Sequence, residues 1–423
     1  MRADELRGKR VAIWGFGREG RAALRFLRAH DPSIALTVLE DATEATVDCP
    51  APLIHGRAAI AAEIRNFDVV VKSPGISLYD PVVSQARDAG VQFSSLLNLW
   101  FADQPVARTI CVTGTKGKST TAALITHILC GTGGKAALAG NIGVPVTDLP
   151  REGLDYAVIE VSSYQAADFD GQCDIAVLTM LAQEHLDWHG SVAAYHRDKL
   201  NLLRHARHSV VNADVRTAVG DIGEVALFDP HADLRVTNPY LARSHNLSNL
   251  SASVAVARYL GIDPDAALRA SEDFCALPHR QQEIGEIDGV LYVDDSISTT
   301  PESAIAALDV YRHRTVTIII GGQDRGIDYS SLVDRLSSRP PGTVILLDPS
   351  GRRIEGMLGS GSGVFLAESM RDAVHLARSR TPRGGVVLLS PAAPSYGSYR
   401  SFVERGEDFA RCAGIRTDRP GTA

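Results

Sequence analysis

One stretch constrains this chain more than any other. The apolar run Thr109-Ile110-Cys111-Val112 leads into Thr113-Gly114-Thr115-Lys116-Gly117-Lys118-Ser119-Thr120, and an apolar helical segment from Ala122 to Leu129 follows. A strand, a glycine-bearing loop and a helix start in that order turn unpaired backbone N–H groups and the positive end of the helix dipole toward one point, which suits a phosphate. Gly114, Thr115, Lys116, Gly117, Lys118, Ser119 and Thr120 are therefore the candidate nucleotide loop, with Lys118 on the β- and γ-phosphates and Ser119 or Thr120 on Mg²⁺. Only two residues separate Gly114 from the Gly117-Lys118 pair, a shorter loop than G-x-x-x-x-G-K and consistent with a lineage apart from motor ATPases.

A chain of 423 residues has room for two or three domains, each with its own core. Hydrophobic residues at 45% and charged residues at 22% describe a soluble globular enzyme. The net charge of −7 gives no footprint for nucleic acid, and neither an eighteen-residue apolar run nor a leader at Met1 is present, so neither nucleic acid nor membrane is an expected partner. Cys49, Cys111, Cys130, Cys173, Cys275 and Cys412 are scattered, which argues against a zinc knuckle and fits a reducing cytoplasm. A monomer is expected.

Ahead of the loop, Val11-Ala12-Ile13-Trp14 reads as a strand, and Gly15-Phe16-Gly17-Arg18-Glu19-Gly20 opens a helix. This is G-x-G-x-x-G after a strand, and a second strand, Ala35 to Leu39, ends in Glu40-Asp41 as a dinucleotide fold would. Another, Asp68-Val69-Val70-Val71, runs into Lys72-Ser73-Pro74-Gly75. Ligands of open α/β sheets sit at strand ends, so Gly17, Arg18, Ser73 and Gly75 are candidate contacts to a nucleotide-like diphosphate. Alone, this motif leaves an NAD-linked oxidoreductase as a rival. Residues 101–105 read as a linker.

Beyond the loop, Ala139-Gly140-Asn141-Ile142-Gly143 is a turn, and the run from Tyr156 through Glu160 to Gln165 reads as a buried strand ending in a carboxylate and hydroxyls. A carboxylate beside a phosphate-loop strand is where a hard cation needs an oxygen, so Glu160 is a candidate Mg²⁺ ligand. Ile175 to Leu181, another strand, leads to Glu184-His185-Leu186-Asp187 and then to Tyr195-His196-Arg197-Asp198-Lys199.

Gly-Thr-Lys-Gly-Lys-Ser-Thr at 114–120, Gly-Asn-Ile-Gly at 140–143, Glu-Val-Ser-Ser-Tyr-Gln at 160–165, Glu-His-Leu-Asp at 184–187 and Tyr-x-x-x-Lys at 195–199 resemble the Mur ligase family in sequence and order. The resemblance implies an α/β chain of three domains: a UDP-sugar-binding Rossmann-like domain at 1–103, a P-loop ATPase domain at 104–276 and a Rossmann-like amino-acid-binding domain at 277–423. It implies ATP and two Mg²⁺ sites, one on Ser119 or Thr120 with Glu160, the other on His185 and a carbamylated Lys199. Asn141 and Ser162 would touch the acceptor, and Asn246 and Asn249 the adenine or hinge, although Asn246 alone could equally cap a helix. Arg280 would lie near the ATP phosphates and Asp295 near the ribose.

Within the family, Asp295-Ser296 followed by Thr299, the turn Gly321-Gly322-Gln323-Asp324-Arg325, and Ser390-Pro391-Ala392 with Ser395 and Phe402 look like the branch that joins glutamate to UDP-N-acetylmuramoyl-L-alanine. Thr299, Arg325, Ser395 and Phe402 fall on its amino-acid site. Members that add D-glutamate have lysine where this chain has Ile297 and Arg325, and arginine does not replace lysine neutrally at a carboxylate. The expectation therefore leans to L-glutamate. A folate polyglutamate ligase shares the central motifs but begins near its phosphate loop, and a non-catalytic nucleotide module would not need the carboxylate, histidine and lysine ligands.

Overall fold

The computed structural model describes residues 1–41, 49–103, 105–324, 326–359 and 363–416, the side chain of Asp187 excepted. It divides into two compact units, Met1–Phe274 and Cys275–Ala423, and contains three sheets.

The first unit holds two of them. Strands β1 (Arg10–Trp14), β2 (Ala35–Glu40), β3 (Leu53–His55), β4 (Val69–Lys72) and β5 (Gln92–Ser94) form a parallel sheet in the order β3-β2-β1-β4-β5. Strands β6 (Arg108–Thr113), β7 (Ala136–Gly140), β8 (Tyr156–Glu160), β9 (Cys173–Leu178), β10 (Ala206–Asn212) and β11 (Glu224–Phe228) form a second, in the order β11-β10-β9-β6-β8-β7. Their centres are near-continuous apolar runs, such as Ile110-Cys111-Val112, because helices cover both faces of a parallel sheet. Helix Lys118–Gly131 is buried almost all round, since helices Ser244–Tyr259 and Pro264–Ser271 pack on its outer side.

The second unit holds β12 (Gln282–Ile287), β13 (Val290–Asp294), β14 (Val316–Gly321), β15 (Thr343–Leu347), β16 (Val364–Ala367) and β17 (Val386–Leu389), in the order β12-β13-β17-β14-β15-β16. Only β12 is antiparallel, an edge hairpin with β13. Helices Pro301–Val310 and Ser330–Ser338 pack on one face and Met370–Arg380 and Phe402–Ala413 on the other. The fold class is the α/β class expected.

Two local expectations are corrected. The strand expected through Gln165 stops at Glu160, because Ser162 and Gln165 exchange hydrogen bonds as a capping box and start a helix, Ser163–Ala167. Asn246 is not a cap: helix Ser244–Tyr259 begins after Arg243, and the Asn246 side chain donates instead to the Tyr240 carbonyl at 2.9 Å. No helix among the described residues is long and apolar enough to cross a membrane.

Candidate functional site

The register of the second sheet assembles the central site. β6 lies between β8 and β9, with Val112 opposite Glu160 and Thr113 opposite Leu178, so the phosphate loop leaves the sheet beside Glu160. Gly114 has φ 151°, and a Cβ there would stand 1.9 Å from Thr179 Oγ1. Gly117, at φ 85° in the cap of helix Lys118–Gly131, would collide with Asn249 Oδ1 in the same way. Only glycine lets the loop lie this close to its neighbours. Thr179 Oγ1 donates to the Lys116 carbonyl at 2.5 Å, while Thr115 N–H donates to the Met180 carbonyl and Thr115 Oγ1 lies 2.8 Å from the Tyr195 hydroxyl. The loop is thus held from below before any ligand is considered.

Two ammonium groups converge on it. Lys118 Nζ donates to the carbonyls of Gly114 at 2.9 Å and Thr115 at 3.0 Å, and Lys199 Nζ to the same Gly114 carbonyl at 3.0 Å. Lys199 is wholly enclosed, and burial first, then the neighbouring charge of Lys118, pulls its pKa well below the ordinary lysine value, against the opposite pull of Glu184 and Glu160. Glu160 is buried too. Its Oε1 accepts from Asn141 Nδ2 at 2.7 Å, whereas Oε2 has no hydrogen-bond partner among the described residues. A buried, free carboxylate oxygen next to a phosphate loop fits a hard cation. Ser119 and Thr120 are buried in the first helical turn. Among the described residues no three His, Cys, Asp or Glu side chains form a ready-made metal cluster, which leaves phosphate oxygens to complete any such site.

Asn249 donates to Asn246 Oδ1 and accepts from Thr121 at 3.2 Å, so both asparagines stand above the loop's helix. His185 adopts φ 54°; its ring lies 5.0 Å from that of Tyr164, and its Nε2 is 3.7 Å from Glu184 Oε2. Lys116 reaches the same Glu184 at 3.6 Å. Ser162 spends its hydroxyl on the capping box.

The first sheet brings its candidates to the same region. Ser73 Oγ donates to the Gly15 carbonyl at 2.7 Å, and Gly17 caps the helix that starts at Arg18. Arg18 reaches Gly143, where a Cβ would lie 2.8 Å from its Nη1, so the diphosphate candidates adjoin the Gly-Asn-Ile-Gly turn. Gly75 lies in the turn after β4. The acidic pair that suggested a dinucleotide has internal partners: Glu40 accepts from Phe16 N–H at 2.8 Å, and Asp41 from Trp14 Nε1 and Arg57. Sequence reasoning assigned nothing to His189 and Asp198, yet His189 bridges Asp198 at 2.7 Å and Ser163 at 3.0 Å, and the Tyr79 hydroxyl bonds both Asp198 oxygens at 2.8 Å. These contacts tie the turn after β4 to the helix Val192–Arg204 that carries Lys199. Their sequence signal was the second histidine of His185-Leu186-Asp187-Trp188-His189, indistinguishable on its own from a core histidine.

In the second unit, Asp295 is buried at the end of β13, where it accepts from Gln281 N–H, Ser298 Oγ and Ser390 Oγ. Burial pushes its pKa up to about 6, against the pull of those bonds and of Arg280. Thr299 precedes helix Pro301–Val310, Ser395 is buried in the turn after β17, and Phe402 begins the last helix with its ring 5.9 Å from His279. Arg325 lies outside the described residues. A cavity of about 950 Å³ opens along Gly321, Gly322, Ser395 and Arg405, the last a buried residue that sequence reasoning passed over.

Residues 112–221 match the Mur ligase middle domain and residues 279–393 the Mur ligase glutamate ligase domain. A protein of Xanthomonas euvesicatoria pv. vesicatoria (strain 85-10) named UDP-N-acetylmuramoyl-L-alanine–L-glutamate ligase is 40% identical over 98% of this chain and 97% of its own. Its namesake in Salinispora tropica is 41% identical over 97% and 98%. Among solved structures, the UDP-N-acetylmuramate–alanine ligase of Thermotoga maritima aligns over 95% of this chain and 98% of its own with a TM-score of 0.59 at 16% identity. The MurF ligase of Thermotoga maritima in complex with ADP does so over 97% and 95%, also with a TM-score of 0.59 at 16% identity. The structural likenesses establish the fold alone, and the sequence relatives decide the kinship: this chain belongs to the Mur ligase family.

Proposed function

We propose that this protein is an ATP-dependent, ADP-forming ligase that joins L-glutamate to UDP-N-acetylmuramoyl-L-alanine in peptidoglycan precursor synthesis, as a cytoplasmic enzyme. The observation that carries this reading is the near-full-length similarity to enzymes named for that reaction, on a chain whose phosphate loop, Glu160 and Lys199 come together.

A carboxylate is a poor electrophile, so the acceptor's terminal carboxylate must first take the γ-phosphoryl group of ATP. The glutamate amine then attacks the acyl phosphate, the C–N bond forms, and phosphate leaves from the tetrahedral intermediate. Lys118, by exchanging loop carbonyls for phosphate oxygens, would neutralise charge on the transferring group. Ser119 or Thr120 and Glu160 Oε2 would hold one Mg²⁺, and His185 with Lys199 a second; bound there, the metal offsets phosphate charge as a Lewis acid. Asn141 fixes Glu160 Oε1 and so aims the other oxygen. Burial lowers the pKa of Lys199 and so favours the neutral amine whose lone pair would meet CO₂: nitrogen bonds to carbon, a C–O π pair becomes the carboxylate, and the proton leaves, which would turn a cation into an anionic oxygen ligand. Arg18, Ser73 and Gly75 receive the diphosphate, Asn246 and Asn249 the adenine end, Arg280 and Asp295 the nucleotide, and Thr299, Arg325, Ser395 and Phe402 the amino acid.

The test supplies ATP, Mg²⁺, UDP-N-acetylmuramoyl-L-alanine and either enantiomer of glutamate, and measures phosphate release. Release with L-glutamate is expected. No release with any combination removes the ligase reading, and release with the D enantiomer alone reverses the stereochemical one.

A further inference from the structure

In the third sheet, β14, β15 and β16 run outward in order, whereas β17 returns to lie between β13 and β14. The turns after β14 and β17 therefore diverge to opposite faces, and a crevice forms at their start, the usual ligand position of an open α/β sheet. The side chain of Arg405, from helix Phe402–Ala413, fills the floor of that crevice and is 1% exposed. Its Nε donates to Ser296 Oγ at 3.1 Å, its Nη2 to the Ser296 carbonyl at 2.8 Å, and its Nη1 to the carbonyls of Ala393 at 3.0 Å and Gly321 at 3.4 Å. All four acceptors are neutral. Burial lowers the guanidinium's pKa to about 10, so it stays charged at neutral pH.

A buried cation without a carboxylate in hydrogen-bond contact is costly, and this one is spent on two turns and a strand end at once. Ser296 belongs to the turn after β13, Gly321 is the last residue of β14 and Ala393 belongs to the turn after β17. Thr299 and Ser395 lie on the turns after β13 and β17, and Phe402 opens the helix that carries Arg405 while its carbonyl accepts from Ser296 Oγ at 2.7 Å. Gly322 has φ 151°, and a Cβ there would lie 2.3 Å from the Pro394 carbonyl oxygen and 2.9 Å from Arg405 Nη1, so the turn after β14 packs closely on both the turn after β17 and the fork.

We propose that Arg405 is a positioning residue for the amino-acid subsite, its planar fork setting the spacing of the turns after β13 and β17, which carry Thr299 and Ser395, against the end of β14. The inference rests on the glutamate-ligase reading above. A point charge cannot reproduce it, because lysine has no fork with which to span two turns and a strand end.

Arg405→Lys and Arg405→Met, in the full chain, are compared with the unsubstituted enzyme by initial rates with each of the three substrates varied in turn. Both variants are expected to raise KM for glutamate about 10-fold or more while KM for ATP and for the alanyl sugar nucleotide stays within about 3-fold. Ser296→Ala removes only one of the four acceptors and is expected to raise KM for glutamate alone by about 3-fold, which keeps the test decisive if Arg405→Met does not fold. A rise shared by all three KM values, a fall in kcat alone, or full function of Arg405→Lys overturns the proposal. If the unsubstituted enzyme turns over no glutamate, the function reading falls with it; glutamate turnover with unselective variants overturns only the role of Arg405.

Discussion

Lys199 and Arg405 are both long cations held at 1% exposure, one in each compact unit, and burial acts on them differently. Lys199 donates to the Gly114 carbonyl at 3.0 Å with Lys118 close by, and burial drives its pKa well below the lysine range. Arg405 makes four bonds to neutral oxygens, and the same physical effect leaves its pKa at about 10. The delocalised guanidinium keeps its proton at neutral pH, whereas burial works against the proton of the ammonium. A buried lysine is thereby available for chemistry, and a buried arginine is available as a rigid brace.

The largest test of this contrast falls on the lysine. Lys199→Ala is expected to lower ligation by about 10³-fold or more, since on the proposed reading it removes a metal-site ligand from the transferring phosphoryl group. Short-chain carboxylates added to that variant should recover part of the turnover; activity close to that of the unsubstituted enzyme would contradict the assignment. Glu160→Gln comes next. Its amide oxygen can still accept from Asn141, so the loop keeps its shape while the anionic oxygen is lost. Steady-state rates should fall about 10²-fold, with half-saturation by Mg²⁺ moved to higher concentration.

How much of this was legible without coordinates depended on how local each signal is. The phosphate loop announces itself because strand, glycines and helix are contiguous, and Gly114 and Gly117 do take the positive φ values such a loop needs. Glu160 could be picked out because its strand lies next to the loop's in the sheet. The strand expected through Gln165 failed because an apolar run cannot reveal that Ser162 and Gln165 will exchange hydrogen bonds. Strands Leu53–His55 and Gln92–Ser94 are too short to show a period. Arg405 and the pair His189 and Asp198 were passed over for a different reason. Their partners lie up to 109 residues away for Arg405 and 119 for Asp198, and a charged residue on an amphipathic helix reads as solvated unless the fold is known.

A third prediction separates stability from activity at the lysine. The folded pKa of Lys199 is lowered from 10.5, so between the two values the unfolded chain binds the extra proton and stability rises with pH. The cost of burying Lys199 is thus present below the folded value and fades as pH approaches 10.5. Lys199→Met, inactive but without that cost, should be more stable at neutral pH in CO₂-free buffer, read from urea midpoints, with the advantage shrinking toward pH 10.5. A constant difference from pH 7 to 10.5 would mean that Lys199 is not the titrating group.

The smallest effect is expected at Asp295, which shows that a buried acid follows the same rule with opposite sign. Its folded pKa is raised from 3.8 to about 6, so the folded chain binds the extra proton in that window and stability contributed by the group falls as pH rises through it. In Asp295→Asn the amide oxygen can still accept from Gln281 N–H, and the amide nitrogen can donate to Ser298 and Ser390, whose hydroxyls rotate to accept. The variant should therefore gain about 1–2 kcal/mol over the unsubstituted protein between pH 4 and pH 6, seen as diverging urea midpoints, and hold that gain at higher pH. Parallel midpoints across the window would show that the carboxylate titrates as it does in the unfolded chain, and that its three internal bonds fully offset the loss of water.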